Sequence, residues 1–98
     1  KPYISKGALS SWAQYSLLSK SNGVRNIVLK HLESKKIPSM IYYRIPLHLQ
    51  TVFNDLGYKK GDFPVSENIA ERIFSIPMHP YLDKIQQDMI IEALLDFE

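Results

Sequence analysis

The sequence predicts a small α+β domain in which helices pack on a small sheet. Two observations support this fold class. Apolar residues recur at helical spacing in four segments and form short β-prone runs between them. Prolines, glycines and capping residues separate these segments, which gives the predicted order β-α-β-α-α-(β)-α. With 98 residues and 45% hydrophobic content, the chain is long enough for one such domain.

The start of the chain is predicted to be a lead-in segment over residues 1–11, with the domain itself over residues 12–98. Pro2, Gly7 and several serines favour irregular backbone in the lead-in segment. Trp12–Ser19 follows as an aromatic and aliphatic run with partial alternation, which predicts a strand.

A helix and a second strand are predicted next. Asn22 is a good N-cap, and apolar residues then recur at helical spacing. The helix is expected to run to about Ser34, because Pro38 disfavours helical backbone at the residue before it. Ser39–Tyr43 is a short β-prone run and predicts the second strand.

The middle of the chain is predicted to contain two helices joined by a loop. Leu47–Leu56 carries its apolar residues on one side, and Gly57 would end that helix as a C′ residue. Tyr58–Val65 is predicted to be the loop, and Ser66 to cap the next helix. The buried stripe of that helix is predicted to contain Ile69, Ala70, Ile73 and Phe74.

The last part of the chain is predicted to be a turned segment and a terminal helix. Ser75–Pro80 contains two prolines beside a histidine, so it must be extended or turned. Asp83 and Gln86 form a capping-box pattern at the start of the helix. The apolar face of this helix is predicted to contain Met89, Ile90, Ala93, Leu94 and Phe97.

Composition excludes several classes of function. A net charge of +2, with the basic residues dispersed, does not resemble the clustered footprint of a nucleic-acid binder. The absence of cysteine excludes disulfides and thiolate chemistry. No apolar run approaches the roughly 20 residues that span a bilayer, and no signal-peptide pattern opens the chain. We therefore expect a cytoplasmic protein without a nucleic-acid or membrane partner.

Motifs of autonomous catalysis are also missing from the sequence. There is no Gly-x-Ser-x-Gly nucleophile elbow and no glycine-rich phosphate loop. The three histidines lack the spacing of metal ligands. The residues therefore predict no catalytic and no metal-binding side chain, and they argue against an enzyme that works alone.

Three residues are candidates for ligand binding. His48 follows Pro46 after a predicted strand and opens a predicted helix, where side chains and free N–H groups face ligands. Its imidazole could bond a hydroxyl or phosphate group, or it could only cap backbone at the helix start. Tyr42 and Tyr43 are adjacent on a predicted strand, so one would pack in the core while the other offers its phenol to solvent or to a pocket.

Five strings, in their order and spacing, resemble the C-terminal small domain of the DegT-type (StrS-type) nucleotide-sugar aminotransferases. They are Lys36–Pro38, Tyr42–Gln50, Gly57–Tyr58, Gly61–Glu67 and Ser75–Pro80. The similarity covers nearly the whole chain. It departs from the family pattern at Arg44, where a proline is usual, and at Tyr42, where some members have histidine.

The resemblance implies a fold, and it implies which residues come from this lobe and which from a large domain. The fold would be a small antiparallel sheet packed with helices, the C-terminal small domain of the aspartate-aminotransferase-like (fold type I) enzymes. Those enzymes use pyridoxal phosphate (PLP), which is bound mainly by a large domain that also supplies the imine-forming lysine and is absent from this chain. This lobe would contribute Tyr43, His48 and Tyr42 to the binding of a nucleotide-linked keto-sugar. Glutamate would be the amino donor.

The implied partners are the large domain and the second subunit of a homodimer. The main alternative is a free-standing α+β binding or assembly module without catalytic activity. A third possibility, a nucleic-acid-binding domain, would need basic residues clustered on one face. A preceding large domain with a lysine in a PLP context would distinguish the enzyme from the module.

Overall fold

The computed structural model describes residues 3–96 of the chain. Two strands and five helical elements along these residues confirm the α+β class. In chain order they are β1 (Tyr15–Leu18), α1 (Asn22–Ser34), two 3₁₀ helices (Leu47–Leu49 and Thr51–Leu56), α2 (Pro64–Arg72), β2 (Ile73–Ile76) and α3 (Lys84–Leu95).

The sheet consists of β1 and β2 in antiparallel pairing, in the register that places Tyr15 opposite Ile76. The strand predicted over Ser39–Tyr43 is wrong. Only Met40 of that run pairs with the sheet, through a single bridge to Ser75. Pro38 has no N–H for a ladder, and the chain turns at residues 42 and 43, so no longer pairing can form. The first strand is also shorter than the predicted Trp12–Ser19.

The core lies where α1 and α3 meet the sheet. Leu32 is fully buried at its centre, on the inner face of α1. This face follows the predicted spacing of apolar residues, because positions four apart lie on the same side of a helix. The buried members of the cluster are Val28, Leu32, Ile37, Phe74, Ile90 and Ala93.

Two arginines tie α2 to the start of α1. The Arg25 guanidinium is buried and donates from Nη1 to the carbonyl oxygen of Ala70 at 2.7 Å. Burial lowers the pKa of Arg25 from its ordinary value, because the charged form loses hydration. Arg72 donates from Nε to the carbonyl oxygen of Ser19 at 2.7 Å, and the Ser19 hydroxyl donates back to the Arg72 carbonyl. These bonds hold α2 in place relative to the sheet.

Capping explains where α1 and α3 begin. Ser21, and not the predicted Asn22, caps α1 by accepting a hydrogen bond from the Val24 amide at 3.3 Å. The predicted capping box at the start of α3 is confirmed, since Asp83 accepts from the Gln86 amide while Gln86 accepts from the Asp83 amide. Ile90 and Ala93 of the predicted apolar face are buried, and Phe97 lies outside the described residues.

The predicted start and end of α2 are both wrong. The helix begins at Pro64, two residues before Ser66, because proline is favoured at a first helical position and its missing N–H costs nothing there. Ile73 and Phe74 belong to β2 and not to a helical stripe. They are consecutive apolar residues that pair with β1, and this pairing partner lies far away in the sequence.

The segment before α2 is more irregular than the single helix predicted over Leu47–Leu56. Two 3₁₀ helices replace it, with Gln50 in extended backbone between them. Gly57 ends the second one in the left-handed region at φ 76°, as predicted. The Cα radius of gyration is 15.9 Å, above the roughly 13 Å of a compact domain of about 100 residues. The chain is therefore extended for its length.

Candidate functional site

His48 lies in the first 3₁₀ helix and faces the start of α2. Its Nε2 atom is 3.0 Å from Oε1 of Glu67. Both side chains are largely buried, with 8% of the His48 side chain and 12% of the Glu67 side chain exposed. The structure therefore places the histidine in a protected ion-pair or hydrogen-bond contact, and not in the backbone-capping role left open above.

Glu67 also organises the loop that precedes α2. Its two carboxylate oxygens accept from the Gly61 amide at 2.8 and 3.0 Å, and Oε1 accepts from the Phe63 amide at 3.3 Å. The hydrogen bond from Gly61 is the main cause that lowers the pKa of Glu67 from its ordinary value, and the contacts from His48 and Phe63 act in the same direction. The carboxylate is thus ionised at neutral pH and surrounded by donors.

An aromatic wall stands beside this pair. The Phe63 ring lies 4.7 Å from the His48 ring, and the Tyr58 ring packs edge-on against Phe63 at 5.1 Å. The cleft in front of the wall has a volume of about 310 Å³. Its lining consists of Leu47, His48, Phe53, Leu56, Tyr58, Phe63 and Ser66.

The other two predicted site residues lie elsewhere. Tyr42 and Tyr43 sit in a turn and not on a strand, so the prediction that they point to opposite faces of a sheet is wrong. Tyr43 is 70% exposed, whereas Tyr42 is half-buried and lines a small cleft with Met40 and Ser75. Neither tyrosine lines the cleft of His48.

A larger apolar groove, of about 570 Å³, runs between the sheet, the loop after β2 and α3. Trp12 and Tyr15 form one side, Met78 and His79 the end, and Ile91 belongs to the opposite side. The outer positions of α3 are apolar as well, with Ile85, Met89, Ile91 and Leu95 all exposed. A helix that is apolar around most of its circumference is normally covered by protein.

Residues 3–96 were searched for metal sites and for membrane-spanning helices. No group of three or more histidine, aspartate or glutamate side chains could bind a metal ion. No helix of this region is both long enough and apolar enough to cross a membrane.

The described residues combine a two-stranded antiparallel sheet, helices packed on it and exposed apolar faces. The model of the DegT/DnrJ/EryC1/StrS aminotransferase family matches residues 2–95, so the chain belongs to this family.

Similar proteins agree with this assignment. The chain is 44% identical over 66 residues to a pleiotropic regulatory protein of Geobacillus stearothermophilus, covering 67% of this chain and 18% of that protein. It is 33% identical over 93 residues to the UDP-2-acetamido-2-deoxy-3-oxo-D-glucuronate aminotransferase of Pseudomonas aeruginosa, covering 95% and 24% of the two chains.

A crystal structure of a DegT DnrJ EryC1 StrS aminotransferase from Brucella abortus matches with a TM-score of 0.85 and 44% identity. The match covers 98% of this chain and 25% of that one. The chain thus spans a quarter or less of the length of these relatives, and the fold prediction is confirmed.

The described residues do not fit a complete PLP site. Every lysine of residues 3–96 is exposed, whereas an imine-forming lysine is activated by desolvation or by a neighbouring charge in a pocket. No glycine-rich phosphate loop is present in the sequence either.

The contact of Glu67 with His48 was not predicted from the sequence. The string Gly61–Glu67 resembles the family pattern, but no role was predicted for its last residue. The signal available was a carboxylate in the first turn of a helix, six residues after a glycine. The two residues of this contact are 19 positions apart in the sequence, so it could not be deduced from spacing.

Proposed function

We propose that this chain is the small lobe of a PLP-dependent aminotransferase that transfers an amino group from glutamate to a nucleotide-linked keto-sugar. The lobe supplies residues to the substrate side of the active site and not the PLP lysine. The observation that carries the proposal is the family match over residues 2–95, together with the small share that the chain represents of each relative.

The apolar surfaces support a lobe that is covered in the assembled enzyme. The groove beside Trp12 and the outer face of α3 expose more apolar area than a sheet of two short strands accounts for. In this proposal the large domain covers the groove, and the second subunit of a homodimer covers the remaining apolar area. The assembled protein works in the cytoplasm.

The substrate side is assigned to Tyr43, His48 and Tyr42. Tyr43 is exposed, so its phenol can reach a sugar hydroxyl. His48 is held by Glu67 beside an aromatic-lined cleft, where an apolar wall with one polar group suits a sugar ring. These residues act by hydrogen bonding and shape, and the amino transfer itself uses groups of the large domain.

The test is an amino-transfer assay with the enzyme that contains this lobe. The enzyme is incubated with PLP, glutamate and a nucleotide-linked keto-sugar, and 2-oxoglutarate and the amino-sugar are quantified. Equal amounts of both products are expected. Formation of neither product with UDP- or dTDP-linked keto-sugars would overturn the proposal and favour a module without catalytic activity.

A second experiment tests the division of labour. The 98-residue chain is mixed with PLP, reduced with borohydride and digested. Because every described lysine is exposed, only scattered, substoichiometric labelling is expected. Stoichiometric labelling of one lysine would show that the chain has its own cofactor site.

A further inference from the structure

We infer that Glu67 is a positioning residue for His48: it keeps a proton on Nε2 and thereby makes Nδ1 the nitrogen that meets a ligand. The inference rests on the proposed function only for the nature of that ligand, which is a hydroxyl or phosphate group of the nucleotide sugar. The effect of Glu67 on the imidazole is independent of any substrate.

The first step concerns the acceptor. An ionised carboxylate has no proton to donate, so it can only accept. Glu67 accepts from the amides of Gly61 and Phe63 at 2.8 to 3.3 Å, and these donors stabilise its ionised form. Since Oε1 is also 3.0 Å from His48 Nε2, the proton of that contact must be on the imidazole.

The second step concerns the other ring nitrogen. Within residues 3–96, Nδ1 of His48 has no hydrogen-bond partner, and it is not among the buried side-chain nitrogens that lack one. The His48 side chain keeps 8% exposure, and Nδ1 is the ring nitrogen left for a further hydrogen bond. The Phe63 ring, 4.7 Å from the imidazole, packs beside it and restricts its rotation.

The third step gives the chemistry. With Nε2 protonated, a neutral imidazole accepts at Nδ1, which suits a sugar hydroxyl. A protonated imidazole donates at Nδ1, which suits a phosphate oxygen. A neutral imidazole carries its proton on either Nε2 or Nδ1. A hydrogen bond from Nε2 to a charged carboxylate raises the ratio of the Nε2-protonated form to the Nδ1-protonated form by roughly tenfold or more. Without Glu67, the imidazole would present a mixture of donor and acceptor at Nδ1.

The test uses nitrogen-15 NMR of the 98-residue chain at about pH 8, where an ordinary histidine is mostly neutral, comparing wild type, Glu67→Gln and Asp62→Asn. The introduced glutamine has the size of glutamate but can donate as well as accept. Asp62 is the matched control, since it is an exposed carboxylate of the same loop that accepts from the Lys59 amide at 2.9 Å. The ratio of Nε2-protonated to Nδ1-protonated His48 should be at least about tenfold lower in Glu67→Gln and unchanged in Asp62→Asn.

The wild-type spectrum alone can overturn the inference, even if Glu67→Gln fails to fold. A wild-type His48 that carries its proton mainly on Nδ1 would do so, and so would an unchanged ratio in a folded Glu67→Gln chain.

The ligand half of the inference is tested separately by His48→Gln in the assembled aminotransferase. Glutamine keeps a donor toward Glu67 but has no counterpart of Nδ1. The Gly61 and Phe63 amide shifts should be retained in the chain, while kcat/KM for the nucleotide sugar falls roughly 5- to 150-fold. An unchanged kcat/KM would remove Nδ1 from the substrate site without affecting the NMR result, and an inactive wild-type enzyme would count only against the proposed function.

Discussion

Replacing Leu32 with alanine tests the position of the core. Leu32 is 0% exposed and belongs to the buried cluster between α1, β2 and α3. A fully buried leucine replaced by alanine loses its transfer free energy and leaves a cavity, which costs about 2.7–5.0 kcal/mol. A domain of this size has a total stability of roughly 5–15 kcal/mol. The variant should therefore lose a large fraction of its free energy of unfolding.

Urea unfolding followed by far-UV circular dichroism measures this loss. With an m value of about 1–3 kcal/mol/M, the midpoint should fall by roughly 1–5 M. Ile27→Ala is the matched control, because Ile27 lies on the same helix but is 57% exposed, and its loss should be within about 1 kcal/mol. Leu32→Met keeps the volume and should cost less than about 1.5 kcal/mol.

A Leu32→Ala chain that loses less than about 1 kcal/mol, or no more than Ile27→Ala, would contradict this packing. Either result would mean that α1 is not packed on the sheet in solution as the structure shows. A Leu32→Ala chain that is unfolded without urea, beside a folded Leu32→Met chain, would agree with the expected cost.

Three further outcomes are expected. His48→Ala in the assembled enzyme should lower kcat/KM roughly 5- to 150-fold with PLP still bound, and an unchanged value would exclude His48 from the substrate site. Because the pKa of Glu67 is lowered in the folded chain, its contribution to stability should be complete above the ordinary glutamate pKa of about 4.3 and lost as the pH falls through the folded value. When the pH is lowered, the urea midpoint of Glu67→Gln should therefore fall less steeply than that of the wild type. Equal slopes of midpoint against pH would contradict this. The isolated chain should self-associate through its apolar faces, as measured by light scattering. Ile91→Glu, at an exposed position of α3, should reduce this association. A wild-type chain that stays monomeric at high concentration would favour the free-standing module.

The sequence predicted those structural features, such as helix ends and caps, that depend on residues close together in the chain. The end of α1 at Ser34, the left-handed Gly57 and the capping box of Asp83 and Gln86 were all predicted correctly. Each of them depends on contacts within about four residues, and such contacts are visible as spacing. The order of short strings likewise predicted the family, which the match over residues 2–95 confirms.

The tertiary structure decided what depends on distant residues. Ile73 and Phe74 fit a helical stripe equally well by spacing, and they form β2 because β1 is available to pair with them. The run after Pro38 has strand-forming residues, but only Met40 reaches the sheet.

The candidate site shows the same division. The sequence by itself determined that His48 lies at the start of a short helical segment after a proline, since both signals are local. Only the fold could bring the Glu67 carboxylate to Nε2 of His48 and leave Tyr43 outside the cleft that His48 lines. The physical reason is that a hydrogen bond between side chains 19 residues apart depends on the path of the chain between them. Here the amides of Gly61 and Phe63 hold the intervening loop by donating to the Glu67 carboxylate.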